Sequence, residues 1–174
     1  SDIGKSGRDY QDFAVLYRTN AQSRLLEEAC IARNVPYRLV GGVNFYQRKE
    51  IKDILAYLKT IANGLDDLAV QRIINVPKRG IGLASIGKIM AWASEQEFSF
   101  YEACRRCAAI PGLGKAAGKV QGFVDQMEGF RKGMEEEDWS IKTLIEQILE
   151  ETGYRQELEA EGEVESQTRL ENIK

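Results

Sequence analysis

The sequence contains no histidine. That absence removes the imidazole acid–base groups of most hydrolases and the commonest ligand of catalytic metal sites. Cysteine is scarce too, at Cys30, Cys104 and Cys107. Cys104 and Cys107 have the C-x-x-C spacing of redox or zinc sites. A structural zinc site takes about four Cys or His ligands, however, and only Cys30 remains to join them. The pair falls in a segment predicted helical from Phe100 to Ala108, where cysteine serves as a small buried hydrophobe. No run reaches the roughly 20 apolar residues that a membrane-crossing helix needs. Residues 1–7 are polar and lack the apolar centre of a secretion signal, so the cytoplasm is the expected location. The first residue is Ser1 rather than Met, so a segment of a longer protein is expected.

The 174 residues suffice for one good core or two small domains, and 43% hydrophobic with 29% charged residues is ordinary for a globular chain. The net charge of −3 conceals an asymmetry. Residues 1–90 carry 14 Lys and Arg against 9 Asp and Glu, whereas residues 91–174 carry 10 against 18. Between Asp67 and Glu95 there is no acid, yet Arg72, Lys78, Arg79 and Lys88 all fall there. For an anionic partner, such local positive charge matters more than the total.

Residues 13–17 are a short apolar run rich in strand formers, and residues 37–40 repeat the pattern before Gly41 and Gly42. Between them, Asn20 can cap a helix that Pro36 and its predecessors end. Strand, crossover helix and strand predict a parallel βαβ unit, which belongs in a larger α/β sheet because two parallel strands alone are not viable. From about Arg48 the periodicity turns helical. Ile51, Ile54, Leu55, Leu58 and Ile61 make one stripe. Asp66 or Asp67 caps a short helix through Ile74, and another carries Ile86, Ile89, Met90 and Ala93. Further helices are predicted around 99–108, 115–132 and 140–152. Residues 135–138 read as a solvated connection and the acidic stretch 157–165 as a weakly anchored tail. The expected fold class is therefore an α/β portion, a partial RecA-like βαβ, followed by a mostly α-helical domain with helix-hairpin-helix-like turns.

Gly82 to Lys88 matches the phosphate-binding pattern G-x-x-x-x-G-K but is followed by Ile89. A P-loop needs Ser or Thr there to hold Mg²⁺, and it needs a buried strand before it, where this chain has Val76 and Pro77. The same residues read better as a G-h-G turn between helices. Gly80 and Gly82 let the backbone bend sharply around the apolar anchor Ile81. Amides at the start of the next helix then favour an anion. Lys78, Arg79 and Lys88 add charge and Ser85 a hydroxyl, a set suited to gripping a nucleic-acid backbone without reading its bases. A tight interhelical turn with no ligand is the alternative. Gly112, Leu113 and Gly114, followed by Lys115 and Lys119, form a second turn of this kind with less charge. At the end of the first predicted strand, Asn20, Gln22 and Arg24 offer hydrogen bonds and charge to a single strand of nucleic acid. Gly41, Gly42, Phe45, Tyr46 and Arg48 follow the second predicted strand, and their aromatics serve equally as stacking platforms or as core.

Taken in order, residues 13–28 (FAVLYRTNAQSRLLEE), 36–63 (PYRLVGGVNFYQRKEIKDILAYLKTIAN), 72–82 (RIINVPKRGIG), 112–118 (GLGKAAG) and 152–173 (TGYRQELEAEGEVESQTRLENI) resemble the PcrA/UvrD/Rep family of superfamily-one 3′–5′ DNA helicases, with the bacterial PcrA branch the strongest likeness. The likeness spans nearly the whole chain. It implies two RecA-like motor domains, 1A and 2A, carrying helical inserts 1B and 2B. Residues 1–60 would be the C-terminal part of the first segment of 2A, and 61–174 most of the 2B insert. By matching motif, single-stranded DNA would meet Asn20, Arg24, Gly41, Gly42, Phe45 and Arg48. Duplex DNA would meet Lys78, Arg79, Gly80, Ile81, Gly82, Ser85 and Lys88, with Gly112, Gly114 and Lys115 as a secondary turn.

The resemblance further implies an ATP hydrolase that unwinds duplex DNA in repair or replication in the bacterial cytoplasm, at the nucleoid. Its partners would be DNA, the remaining helicase domains, and repair or transcription proteins, with no membrane. ATP and Mg²⁺ would serve the whole helicase. This segment has neither Walker A nor Walker B residues, so it is expected to hold no catalytic residue, metal or nucleotide of its own. The alternative reading is a regulatory protein-interaction module without appreciable DNA affinity, its acidic second half suiting basic partners.

Overall fold

A computed structural model describes residues 9–18, 20–40, 45–160 and 163–173, and it is mostly α-helical. Two compact units emerge, residues 1–52 and 53–174.

In the first unit, helix α1 spans Asn20–Ala32 and a short 3-10 turn covers Phe45–Gln47. The strands expected at 13–17 and 37–40 do not form: no strand occurs among the described residues. The physical reason is the absence of a ladder. An extended segment becomes a strand only when a neighbour's backbone satisfies its amides, and parallel strands need a sheet covered on both faces. Here Val15, Leu16 and Val40 remain 66%, 95% and 83% exposed. The predicted βαβ thus keeps its helix and loses its sheet. Gly41 and Gly42 lie outside the described residues.

Helix α2, Lys49–Ala62, begins in the first unit and gives most of its length to the second. There follow α3 (Asp67–Ile73), α4 (Leu83–Glu95), α5 (Phe100–Arg105), α6 (Ala116–Glu136), α7 (Ile141–Glu151), α8 (Tyr154–Glu159) and α9 (Glu163–Ile173). Three of them start on side-chain caps: Asp66, Ser99 and Ser140 accept from the amides of Ala69, Glu102 and Thr143. Each satisfies one of the donors that a helix start leaves unpaired.

The core gathers around α5 and α6. Tyr57, Ile73, Phe100, Phe123, Met127, Phe130, Ile148 and Tyr154 are all less than 2% exposed. Polar anchors fix the packing. Arg131 on α6 donates to the carbonyls of Ile61 (2.6 Å) and Thr60 (2.8 Å), closing the C-terminal end of α2. Asp53, 1% exposed, accepts from Arg72 (2.7 Å) and from the Tyr154 hydroxyl (2.7 Å), so one buried carboxylate ties α2 to α3 and α8.

The helix expected at 99–108 breaks at Arg106 into α5 and a 3-10 turn, Cys107–Ala109. Cys104 and Cys107 are buried, and desolvation pushes both thiols above their ordinary range. They are core residues held in the thiol form. Helix α6 runs past its expected end through Glu136, because the Gly133 carbonyl receives the amides of Glu137 and Trp139 while the Trp139 ring covers Gly133.

Candidate nucleic-acid interface

The first G-h-G turn is built from an asparagine outward. The Asn75 side-chain oxygen accepts from the amides of Arg79 (2.8 Å) and Ile81 (3.1 Å), curling residues 75–81 around itself. Gly80 sits at φ +69°, a left-handed conformation that a side chain would strain. Gly82 is extended at φ −80°, so only the first glycine is conformationally required. Ile81, 1% exposed, plugs the core beneath. Leu83 then opens α4 with its side chain 87% exposed.

The basic residues around this turn divide. Lys78 is exposed, and its amide donates to the Glu157 carboxylate on α8 at 3.2 Å. Arg79 points inward. Its guanidinium donates to the carbonyls of Ile73 (2.9 Å) and Val76 (3.1 Å), to the Tyr57 hydroxyl (2.8 Å) and to the Gln126 side-chain oxygen (3.0 Å), and lies 5.3 Å from the Phe123 ring centre. The Tyr57 hydroxyl in turn donates to the Val76 carbonyl at 2.6 Å. Burial raises the Tyr57 pKa, with Arg79 opposing the shift, and the phenol stays a donor.

The second turn has Gly112 at φ +70° and Gly114 at φ +56°, with Leu113 buried between them. Lys115 is exposed and precedes α6. The helices after both turns share a property. Neither α4 nor α6 receives a side-chain cap bond, in contrast to α3, α5 and α7. Short α8, which follows Gly153, lacks one too. On α4 the Ser85 and Ile86 amides turn to the Gly82 carbonyl, which leaves those of Leu83 and Ala84 for water or an anion. On α6, by contrast, the Leu113 and Gly114 carbonyls take the amides of Ala116 and Ala117. Ser85 is half-buried on the first turn of α4.

Sequence reasoning assigned Lys88 to the turn before its own helix, but the structure sends it elsewhere: its ammonium bonds to the Gly112 carbonyl of the second turn. Lys119 on α6 bonds to the Gly80 carbonyl of the first, at 3.1 Å. Lys119, expected to charge the second turn, thus serves the first, and Asn75 and Glu157 join the site without having been expected there. Only Asn75 carries a local signal, an Asx side chain just before a Pro-x-x-Gly bend.

In the first unit, Arg24, Phe45 and Arg48 come together. Phe45 is 6% exposed, with the Arg24 and Arg48 guanidinium carbons 4.9 and 5.3 Å from its ring centre. It is core and not a stacking platform. Tyr46, edge-on to it at 5.3 Å, is the exposed aromatic, 41% accessible. The buried Glu27 carboxylate accepts from the Phe45 amide (3.3 Å) and the Tyr37 hydroxyl (3.3 Å). Asn20 is the first residue of α1, and its side chain is outside the description.

The P-loop-like heptad does not fit a nucleotide. Residues 83–88 are already helical, Ile89 is fully buried, and the Lys88 ammonium is engaged by Gly112. A phosphate-cradling loop needs that backbone open.

A family model for the UvrD-like helicase C-terminal domain matches residues 2–104. The chain belongs to that family. It is 45% identical over 169 residues to the ATP-dependent DNA helicase PcrA of Staphylococcus aureus (strain Mu50 / ATCC 700699), covering 97% of this chain and 23% of the relative. The PcrA of Staphylococcus epidermidis (strain ATCC 12228 / FDA PCI 1200) is 44% identical over the same span. The chain thus spans about a quarter of the length of the curated relatives it matches.

Proposed function

We propose that this chain is the DNA-gripping segment of an ATP-dependent 3′–5′ DNA helicase, holding duplex backbone through its two G-h-G turns. The observation that carries this is their shared construction. In each, a left-handed glycine bends the chain, an apolar anchor is buried, and a helix without a side-chain cap begins beside exposed lysine. At α4 a phosphate supplies an acceptor for the first amides, and at both turns the exposed lysine neutralises it. The contacts grip backbone and are indifferent to sequence.

Residues 1–60 serve as part of motor domain 2A and 61–174 as part of insert 2B. The exposed apolar residues at 13–17 and 37–40 are those that the remainder of a RecA-like sheet would cover. Arg24, Arg48 and Tyr46 meet single-stranded DNA, with Phe45 supporting them from below. The whole protein couples ATP hydrolysis on Mg²⁺ to strand separation in DNA repair and replication, and the nucleotide chemistry resides outside these residues.

The test is a fluorescence-anisotropy titration of the chain with duplex, forked and single-stranded DNA at two salt concentrations. Phosphate contacts require affinity to fall with salt, by a log–log slope of about 0.9 per contact. Failure to bind any of the three DNAs would overturn the reading in favour of a protein-interaction module.

A further inference from the structure

The lysines after the two turns are exchanged. Lys88, on the helix that the first turn opens, reaches the second turn's Gly112 carbonyl. Lys119, on the helix that the second turn opens, reaches the first turn's Gly80 carbonyl. The glycines involved are those at φ +69° and +70°. A side chain on Gly80 would begin 2.5 Å from the Lys119 ammonium, and one on Gly112 would begin 3.4 Å from that of Lys88. At Gly80 the partner turn's lysine stands where a side chain would go, and at Gly112 it lies in van der Waals reach of that position. The arrangement is reciprocal across 39 and 24 residues of sequence.

Resting on the reading of the turns as the duplex grip, we propose that Lys88 and Lys119 are positioning residues that lock the two turns into one bipartite duplex-binding unit. An exposed ammonium–carbonyl bond is worth little to stability, because water competes and a long side chain must be held still. Its effect is geometric. Neither lysine pairs with a carboxylate among the described residues, so each keeps its full charge at the junction of the turns. An ammonium has three donors, and one spent on a carbonyl leaves two for a phosphate. Removing either lysine frees one turn from the other, and two anchors with a fixed spacing become two independent weak ones.

The test uses Lys88→Met, Lys119→Met, the double variant and the two Lys→Arg variants of the whole chain. Duplex affinity is measured at several salt concentrations, and thermal unfolding is followed in parallel. Each Met variant is expected to lose on the order of ten-fold in affinity. Its salt slope falls by about 1.8, the worth of two phosphates, though one charge is gone. The double variant loses scarcely more than either single, the Arg variants recover most of the binding, and unfolding midpoints stay close to the parent's. Losses that multiply in the double variant, with a slope change of about 0.9 per lysine, would mean two independent contacts and overturn the proposal. Unchanged binding in the Met variants would overturn it equally. A parent chain that binds no duplex sinks the functional reading itself, an outcome distinct from additive losses. Should a Met variant unfold, amide exchange decides in the Arg variants: increased exchange at the partner turn with intact duplex affinity would also overturn the lock.

Discussion

Lys78 and Arg79 are neighbours with the same charge, and the structure assigns them opposite work. Arg79→Ala removes four well-formed bonds from a guanidinium that also covers the Phe123 ring. At about 1.5–3 kcal/mol for each bond to a charged group, the gross loss would be roughly 6–12 kcal/mol. Most of it is recovered. The Ile73 carbonyl keeps the Val76 amide (3.0 Å), the Val76 carbonyl keeps the Tyr57 hydroxyl, and the half-buried Gln126 rehydrates. What remains is the fully buried Tyr57 oxygen deprived of its guanidinium donor, the lost ring contact, and a cavity beside Phe123. Those sum to about 3 kcal/mol. Lys78→Ala removes an exposed side chain whose backbone amide alone is engaged, and should change stability by less than about 0.5 kcal/mol.

Urea unfolding followed by circular dichroism measures both, with Arg79→Lys falling between because one ammonium cannot serve acceptors spread over α2, α6 and the turn. Binding should reverse the order of salt effects. Lys78→Ala lowers the salt slope for duplex DNA by about 0.9, whereas Arg79→Ala weakens binding only by loosening the turn. An Arg79→Ala chain with the parent's midpoint would refute the inward assignment. So would a salt-slope loss confined to Arg79→Ala.

Three further outcomes follow from single features. On α6, Gly129→Ala should stabilise by up to about 1 kcal/mol, since its side chain would meet open space, whereas Gly133→Ala should cost about 1–3 kcal/mol because its Cβ would lie 2.6 Å from the Trp139 ring; equal shifts in melting temperature would contradict this. The Asp66 carboxyl is held below its ordinary range by the Lys59 hydrogen bond and then by the Ala69 amide, so its contribution is present above the unfolded pKa and lost as pH falls through the folded value. Asp66→Asn should therefore differ from the parent at neutral pH and converge with it in acid, and a difference constant with pH would refute the assignment. Glu157→Gln keeps an acceptor for the Lys78 amide but removes a negative charge beside the turn, so duplex affinity should rise a few-fold at low salt and the gain should fade as salt screens it; unchanged affinity at low salt would rule out that opposition.

These features differ in how far they could be read from the chain, and the difference is one of range. Local devices were legible. Asp66 announces α3 because an Asx oxygen reaches an amide three residues on, and the stripe from Ile51 to Ile61 announces α2 because 3.6-residue periodicity needs no partner to be seen. Strands were not, because a strand is a property of two segments. Residues 13–17 have the composition of one and, with no ladder beside them, the exposure of none.

The site divides along the same line. That residues 80–82 would bend around a buried Ile81 follows from two glycines flanking an apolar residue. Which cations face outward does not, since adjacent Lys78 and Arg79 look alike until Tyr57, Gln126 and Phe123 arrive from elsewhere in the sequence to claim the guanidinium. The exchange of Lys88 and Lys119 is further still from sight, because each lysine lies beside the turn it does not serve. A charge count therefore locates a basic stretch in a sequence of this kind, while the division of those charges between surface and scaffold is decided by tertiary acceptors. A planar guanidinium with five donors is drawn to converging carbonyls, and a compact ammonium on a flexible stem remains at the surface to meet phosphate.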